Sequence, residues 1–232
     1  MIPLGLNRRC VRQALIEAKH DRSTATRIET VSRHFLGSPY KSAPLIGSAE
    51  TPEVFAASLE GFDCVTYIET VLALARAATV DGFIKWLRKI RYEHGRIEWK
   101  KRNHYMTGWM RNNLREGMLR LVPTRGIPTV RHERLLNVVP GLPSRRATIR
   151  SVPKSALSRF ARRLNTGDLI FFASTRKNLD FFHAGILIRN GERLLMRHAS
   201  RSQGGVVEQE LGDFLKGNRM AGVVVVRPEH SE

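Results

Sequence analysis

The sequence predicts an α+β fold, because helical periodicity fills the chain before residue 91 and strand patterns fill it after residue 167. A third observation fixes the arrangement: between them lies a long stretch without any steady period, which reads as an insertion. Val11, Leu15, Ile16 and Ala18 share one amphipathic stretch, and a second runs from Ser23 to about Phe35. Gly37-Ser38-Pro39 ends it, with Gly past the helix and Pro barring continuation. Pro39, Pro44, Gly47, Pro52 and Gly61 make residues 38–62 mostly loop. A third helix is expected near Asp63, since Cys64, Tyr67, Ile68, Val71, Leu72 and Ala75 fall on one apolar face. Asp63 suits the N-cap, which puts Cys64 in the first turn. A fourth helix is expected over 80–90. Residues 91–153 mix aromatic, basic and turn residues and are expected to be loop-rich. Strands are then expected over 168–172, 183–189, 192–198 and 222–227, with one short helix over 210–215.

No Pro/Ser-rich linker, repeat or low-complexity tract divides the 232 residues, so residues 1–232 read as one domain, with N-terminal helices over 1–37. No run of eighteen apolar residues is present, so no membrane-spanning helix is expected. Met1 to Lys19 lacks the apolar core of a secretory signal. The expected location is the cytoplasm, or the cell envelope if a leader has been removed. A net charge of +18 favours anionic partners, but the cations are scattered rather than gathered in a tail. Without a zinc finger, a helix-turn-helix or a recurrent RNA-binding aromatic motif, nucleic acid is not the expected partner.

Arg189-Asn190-Gly191-Glu192 is the strongest hairpin signal in the chain. With Asn190 and Gly191 as the loop, Arg189 faces Glu192, and counting outward sets His183 opposite His198. Opposed residues share a sheet face with Cβ atoms about 4.5–5.5 Å apart, close enough for two imidazoles to hydrogen-bond. A shift by one residue would send them to opposite faces. Together with a cysteine at a helix start, this pair suits thiol chemistry. A helix N-terminus and a neighbouring imidazolium both favour the thiolate, and a second group can orient the base. On this reading Cys64 is the nucleophile, His183 the base and His198 the orienting residue. Cys64 could instead be a buried structural thiol, as expected for Cys10. One Cys and two His without paired spacing give no expected zinc site, and two cysteines are too few for a disulfide framework.

The ordered segments Phe62-Asp63-Cys64, Gly167-Asp168-Leu169-Ile170-Phe171-Phe172, His183-Ala184-Gly185-Ile186 and His198-Ala199-Ser200 resemble the motifs of the NlpC/P60 cell-wall cysteine peptidases. The resemblance implies a papain-like core in which a cysteine-bearing helix packs on an antiparallel sheet. It implies the same roles for Cys64, His183 and His198, and no metal or organic cofactor. Gly37-Ser38-Pro39-Tyr40 resembles the segment ahead of the cysteine, where a tyrosine helps hold the oxyanion. Ile90-Arg91-Tyr92, Arg102-Asn103-His104-Tyr105 and Trp109 with Asn112 resemble the insertion of a larger branch, similar to N-acetylmuramoyl-L-alanine amidases. That branch cuts the bond between the lactyl carbonyl of muramic acid and L-alanine, and its members prefer small fragments such as anhydro-muropeptides. Residues 91–153 are then the substrate-binding insertion, with Asp63, Arg102, His104, Tyr105 and Trp109 as expected contacts. Aromatic rings can stack on a sugar, and Arg102 and His104 can meet carboxylates or carbonyls. The alternatives are cleavage of a γ-D-Glu–diamino acid bond by the same machinery, or a non-catalytic basic protein that binds cell wall or nucleic acid.

Overall fold

A computed structural model describes residues 2–229. Four helices form the front of the molecule: α1 (Arg8–Glu17), α2 (Thr24–His34), α3 (Cys64–Arg76) and α4 (Val80–Arg91). Each begins on a side-chain cap supplied by Asn7, Ser23, Asp63 or Thr79, which satisfies amide donors that a first turn leaves open. Helix α3 is buried from Thr66 to Ala75, as a helix wrapped by protein on every side must be. Its Glu69 accepts from Arg91 Nε at 2.7 Å and from the Trp109 indole N–H at 3.2 Å. Arg91 also donates to the Ala56 carbonyl. This buried pair ties three helices together, and removing one partner of such a pair costs about 3–5 kcal/mol.

Behind the helices stands a six-stranded antiparallel sheet. Its strands are β1 (Leu119–Leu121), β4 (Leu169–Ala173), β5 (Phe181–Asn190), β6 (Arg193–Ser200), β7 (Gly205–Glu210) and β8 (Gly222–Pro228), in the order β1-β8-β4-β5-β6-β7. Alternation along β4 explains its continuous burial. Leu169, Phe171 and Ala173 join the core under the helices, while Ile170 and Phe172 join a second core on the other face. That second core is covered by Phe160 of α6 (Leu157–Ala161) and Phe214 of α7 (Leu211–Gly217). Asp168 is wholly buried and accepts from Arg227 Nε at 2.6 Å and Nη2 at 2.8 Å, so this acid joins β4 to β8 and serves the fold.

Residues 91–153 are more ordered than their sequence suggests. They contain α5 (Met106–Arg115) and a separate hairpin of β2 (Val130–Leu136) and β3 (Arg145–Ser151). The hairpin turns only Arg134 and Leu136, and Ile149 and Ser151, inward, so no apolar alternation marks it. Helix α5 contains Gly108 and two asparagines, all poor helix formers, and this hides its period.

Candidate active site

Asp63 sets the position of Cys64. Its Oδ1 accepts from the Val65 and Thr66 amides at 3.1 and 2.7 Å, and the Thr66 hydroxyl accepts from the Asp63 amide at 3.1 Å. This reciprocal capping box starts α3 at Cys64. The same bonds commit Asp63 Oδ1 to the helix, whereas the sequence suggested a substrate contact. Helix α3 packs against β5 and β6, and the Cys64 thiol lies against the amide of Ala184, the residue after His183. Both Cys64 and Cys10 are free thiols.

The β5–β6 hairpin differs from expectation in register. Its two-residue loop is Gly191-Glu192, so Asn190 pairs with Arg193 and Ile186 with Arg197. Gly191 has φ +57° and Asn190 does not enter the left-handed region, the pattern of a turn with Gly at its first position. The slip is two residues, which preserves the face. His183 and His198 therefore meet diagonally instead of directly. His183 Nε2 lies 2.6 Å from His198 Nδ1, with the rings nearly perpendicular at 85°. Just before His183 the pairing with β4 is irregular, with His183 opposite Phe172 and Phe181 opposite Ala173. Such a bulge re-aims the side chains beside it.

Gln209 on β7 completes the array. Its amide nitrogen Nε2 lies 2.8 Å from His198 Nε2, giving a continuous chain from His183 through His198 to Gln209. The sequence offered a signal for this strand, since Val206 and Val207 follow Gly204-Gly205, but the polar residues after them masked it. The two imidazole protons are linked. If the Gln209 nitrogen donates to His198, the His183 proton sits on Nδ1. If the Gln209 oxygen accepts from His198, His183 donates through Nε2 and keeps a bare lone pair on Nδ1.

No carboxylate hydrogen-bonds to either ring among the described residues. Phe214 stacks on His183 at 5.3 Å and Phe172 lies 6.2 Å from it. Burial, reinforced by His198, holds His183 down to about 3, and burial alone holds His198 down to about 4. Burial pushes the Cys64 thiol up to about 12, aided by Asp63 and opposed by the amides of Ala184, Cys64 and Val65. The helix start was expected to favour a thiolate beside an imidazolium. Desolvation works against that pair, raising the thiol and lowering the imidazole.

Tyr40 reaches the same place from far along the chain. It bridges in parallel to Phe62, and its amide donates to the Gly204 carbonyl at 2.8 Å. A Cβ on Gly61 would lie 2.7 Å from the Pro39 carbonyl oxygen, so glycine is what lets these segments meet. Residues 41–61 leave and return at this neck, which absorbs the long spacing between Tyr40 and Cys64. Burial raises the Tyr40 phenol, and Cys64 and Asp63 add to the rise.

An N-acetylmuramoyl-L-alanine amidase-like (AmiA-like) family model matches residues 30–223, a span holding Tyr40, Cys64, both histidines and Gln209. The chain belongs to this family. Solved structures share the fold of this amidase-like chain. Protein LPG0564 from Legionella pneumophila has a TM-score of 0.84 at 21% identity, covering 95% of this chain and 94% of that one. An N-acetylmuramoyl-L-alanine amidase from Bacteroides uniformis has a TM-score of 0.79 at 24% identity, covering 89% and 99%. No curated protein matches.

In the amidase-like chain the expected substrate contacts of the insertion are heavily engaged by protein. Arg102 donates to Glu53 at 3.0 Å and to the Gly47 carbonyl. His104 lies 2.6 Å from the Trp99 carbonyl, and burial holds it down to about 4. The Tyr105 hydroxyl accepts from the Val139 amide. All three line a cavity of about 320 Å³, which none of Tyr40, Cys64, His183 or His198 lines. Trp109 is fully buried against Phe171, so its expected part in sugar stacking gives way to core packing.

Proposed function

We propose that this protein is a cysteine amidase that cuts the N-acetylmuramoyl–L-alanine bond of peptidoglycan fragments, anhydro-muropeptides among them, through an acyl-enzyme at Cys64. The observation that carries this reading is the convergence of a helix-start thiol with the strand bearing His183, His198 and Gln209, in a chain of the amidase-like family. A papain-like arrangement of the NlpC/P60 type accommodates these parts in the same order.

In the proposed reaction His183 Nδ1 takes the thiol proton as Cys64 Sγ attacks the lactyl carbonyl carbon. This step requires the Gln209 amide to turn over from the orientation in the structure, so that its oxygen accepts from His198 and the Nδ1 lone pair is free. The tetrahedral oxyanion is held by the Cys64 amide and by the Tyr40 hydroxyl, which its raised phenol keeps protonated. Collapse breaks the C–N bond, and the L-alanine amine leaves with the proton from His183. His183 then deprotonates a water that attacks the thioester, and thiol and muramic acid are released.

Mass spectrometry of muropeptides incubated with the protein and with Cys64→Ala tests this. Separate sugar and L-alanine-led peptide products, absent with the variant, are expected. Splitting within the peptide would assign the γ-D-Glu–diamino acid bond instead. No products from the unaltered protein would remove the amidase reading.

A further inference from the structure

Away from the histidines, the insertion builds a second site whose charges are left unbalanced. The 320 Å³ cavity is lined by Lys100, Lys101, Arg111 and Arg145, with Glu93 as its one acid, besides the residues already described. Lys101 is neutralised by Glu93 at 3.0 Å. Arg111 and Arg145 have no ion-pair partner among the described residues. They act on one another as like charges, and Asp180 offsets this at Arg145, to which the Thr107 hydroxyl links it. Two guanidinium groups without a direct ion pair that face one cavity repel one another, and an anion between them would relieve that repulsion.

The Arg145 side chain is seated for this position. Its guanidinium lies 5.6 Å over the Tyr105 ring and donates to the Thr107 hydroxyl at 3.3 Å. It packs on Gly108, where an added Cβ would lie 3.0 Å from Arg145 Nη2. Glycine inside a helix costs about 1 kcal/mol relative to alanine, and here it makes room for the guanidinium. Arg111 stands one turn further along the same helix. Planar guanidinium forks match the two oxygens of a carboxylate or phosphate.

We propose that this cavity binds one small dianion, a dicarboxylate or a phosphate, between Arg111 and Arg145. The site does not depend on the reaction proposed at Cys64, none of whose groups lines it.

Isothermal titration of the full chain with inorganic phosphate, and separately with glutarate, tests the proposal. One saturable site is expected for at least one probe, and the tighter probe names the ligand's source as phosphoryl or carboxylate. Binding should weaken about tenfold or more in Arg145→Ala and in Arg111→Ala, following the loss of a charged hydrogen-bond donor. Arg111 is exposed and without an ion-pair partner, so its variant reports on binding even if Arg145→Ala fails to fold. Arg162→Ala removes an equal charge elsewhere and should bind like the unaltered protein, as should Cys64→Ala. No saturable binding of either probe would overturn the proposal. So would weakening in Arg162→Ala equal to that in Arg111→Ala, which would mark diffuse attraction to a +18 chain.

Discussion

The histidine array and the insertion cavity handle charge in opposite ways. Around His183 and His198 the walls are Phe172 and Phe214, no carboxylate among the described residues bonds to the rings, and burial holds both imidazoles well below their ordinary value. Around Arg111 and Arg145 positive charge accumulates with no direct ion pair among the described residues, and only Asp180 offsets it at Arg145. The difference teaches a division of labour. On the proposed reading, a group that gains and loses a proton stands where neither form is locked by a permanent counter-charge, and the groups that would hold a ligand are permanent cations. A pH change should therefore speak mainly to the first region, and added salt mainly to the second.

The largest effect expected from breaking this contrast is His183→Ala, which should lower kcat/KM on muropeptides by about 10²–10⁴-fold, the usual worth of a general base. Circular dichroism would verify the fold, and a rate near that of the unaltered protein would move the base elsewhere. Gln209→Leu should come next, with kcat reduced about tenfold and KM little changed, since it acts through His198. Gln209→Glu sharpens the point. A carboxylate at that position favours protonated histidine, so the acid limb of kcat/KM should move to higher pH. A purely structural Gln209 would leave that limb in place.

The smallest effect is on stability. Both histidines are held below their ordinary value of 6.5 in the folded protein. Below that pH the unfolded chain binds protons that the folded chain refuses, so their contribution is whole above 6.5 and lost as pH falls towards about 4 for His198 and about 3 for His183. Thermal melts between pH 7 and 4.5 should show this decline, and His198→Gln should flatten it. An unchanged slope in the variant would mean that other groups set the acid sensitivity.

Legibility of these two regions from sequence follows from their local patterns. The cysteine helix was readable because an N-cap and an apolar face occur together at Asp63 and Cys64. The histidine pair was readable because one turn signal, Asn190-Gly191, sets a strand pairing by counting. Its register was off because Gly191 alone takes the left-handed conformation. Strand β7, and with it Gln209, escaped notice because an edge strand ending in Glu208, Gln209 and Glu210 shows little hydrophobic contrast. The insertion was illegible for a related reason. Its hairpin is solvent-facing along most of its length, and Arg102, His104 and Tyr105 meet partners such as Glu53, Trp99 and Val139 that no spacing rule connects.

The parity of the β5–β6 pairing has a consequence for how this protein tolerates change in length. His183 and His198 keep a common face under any slip of an even number of residues, as the two-residue offset between expectation and structure illustrates. A single residue deleted between Ile186 and Arg189 would instead turn His183 away from its partner while leaving every side chain intact. The hairpin thus carries a frame of its own, in which an even slip keeps both rings on one face and an odd slip sends them to opposite faces.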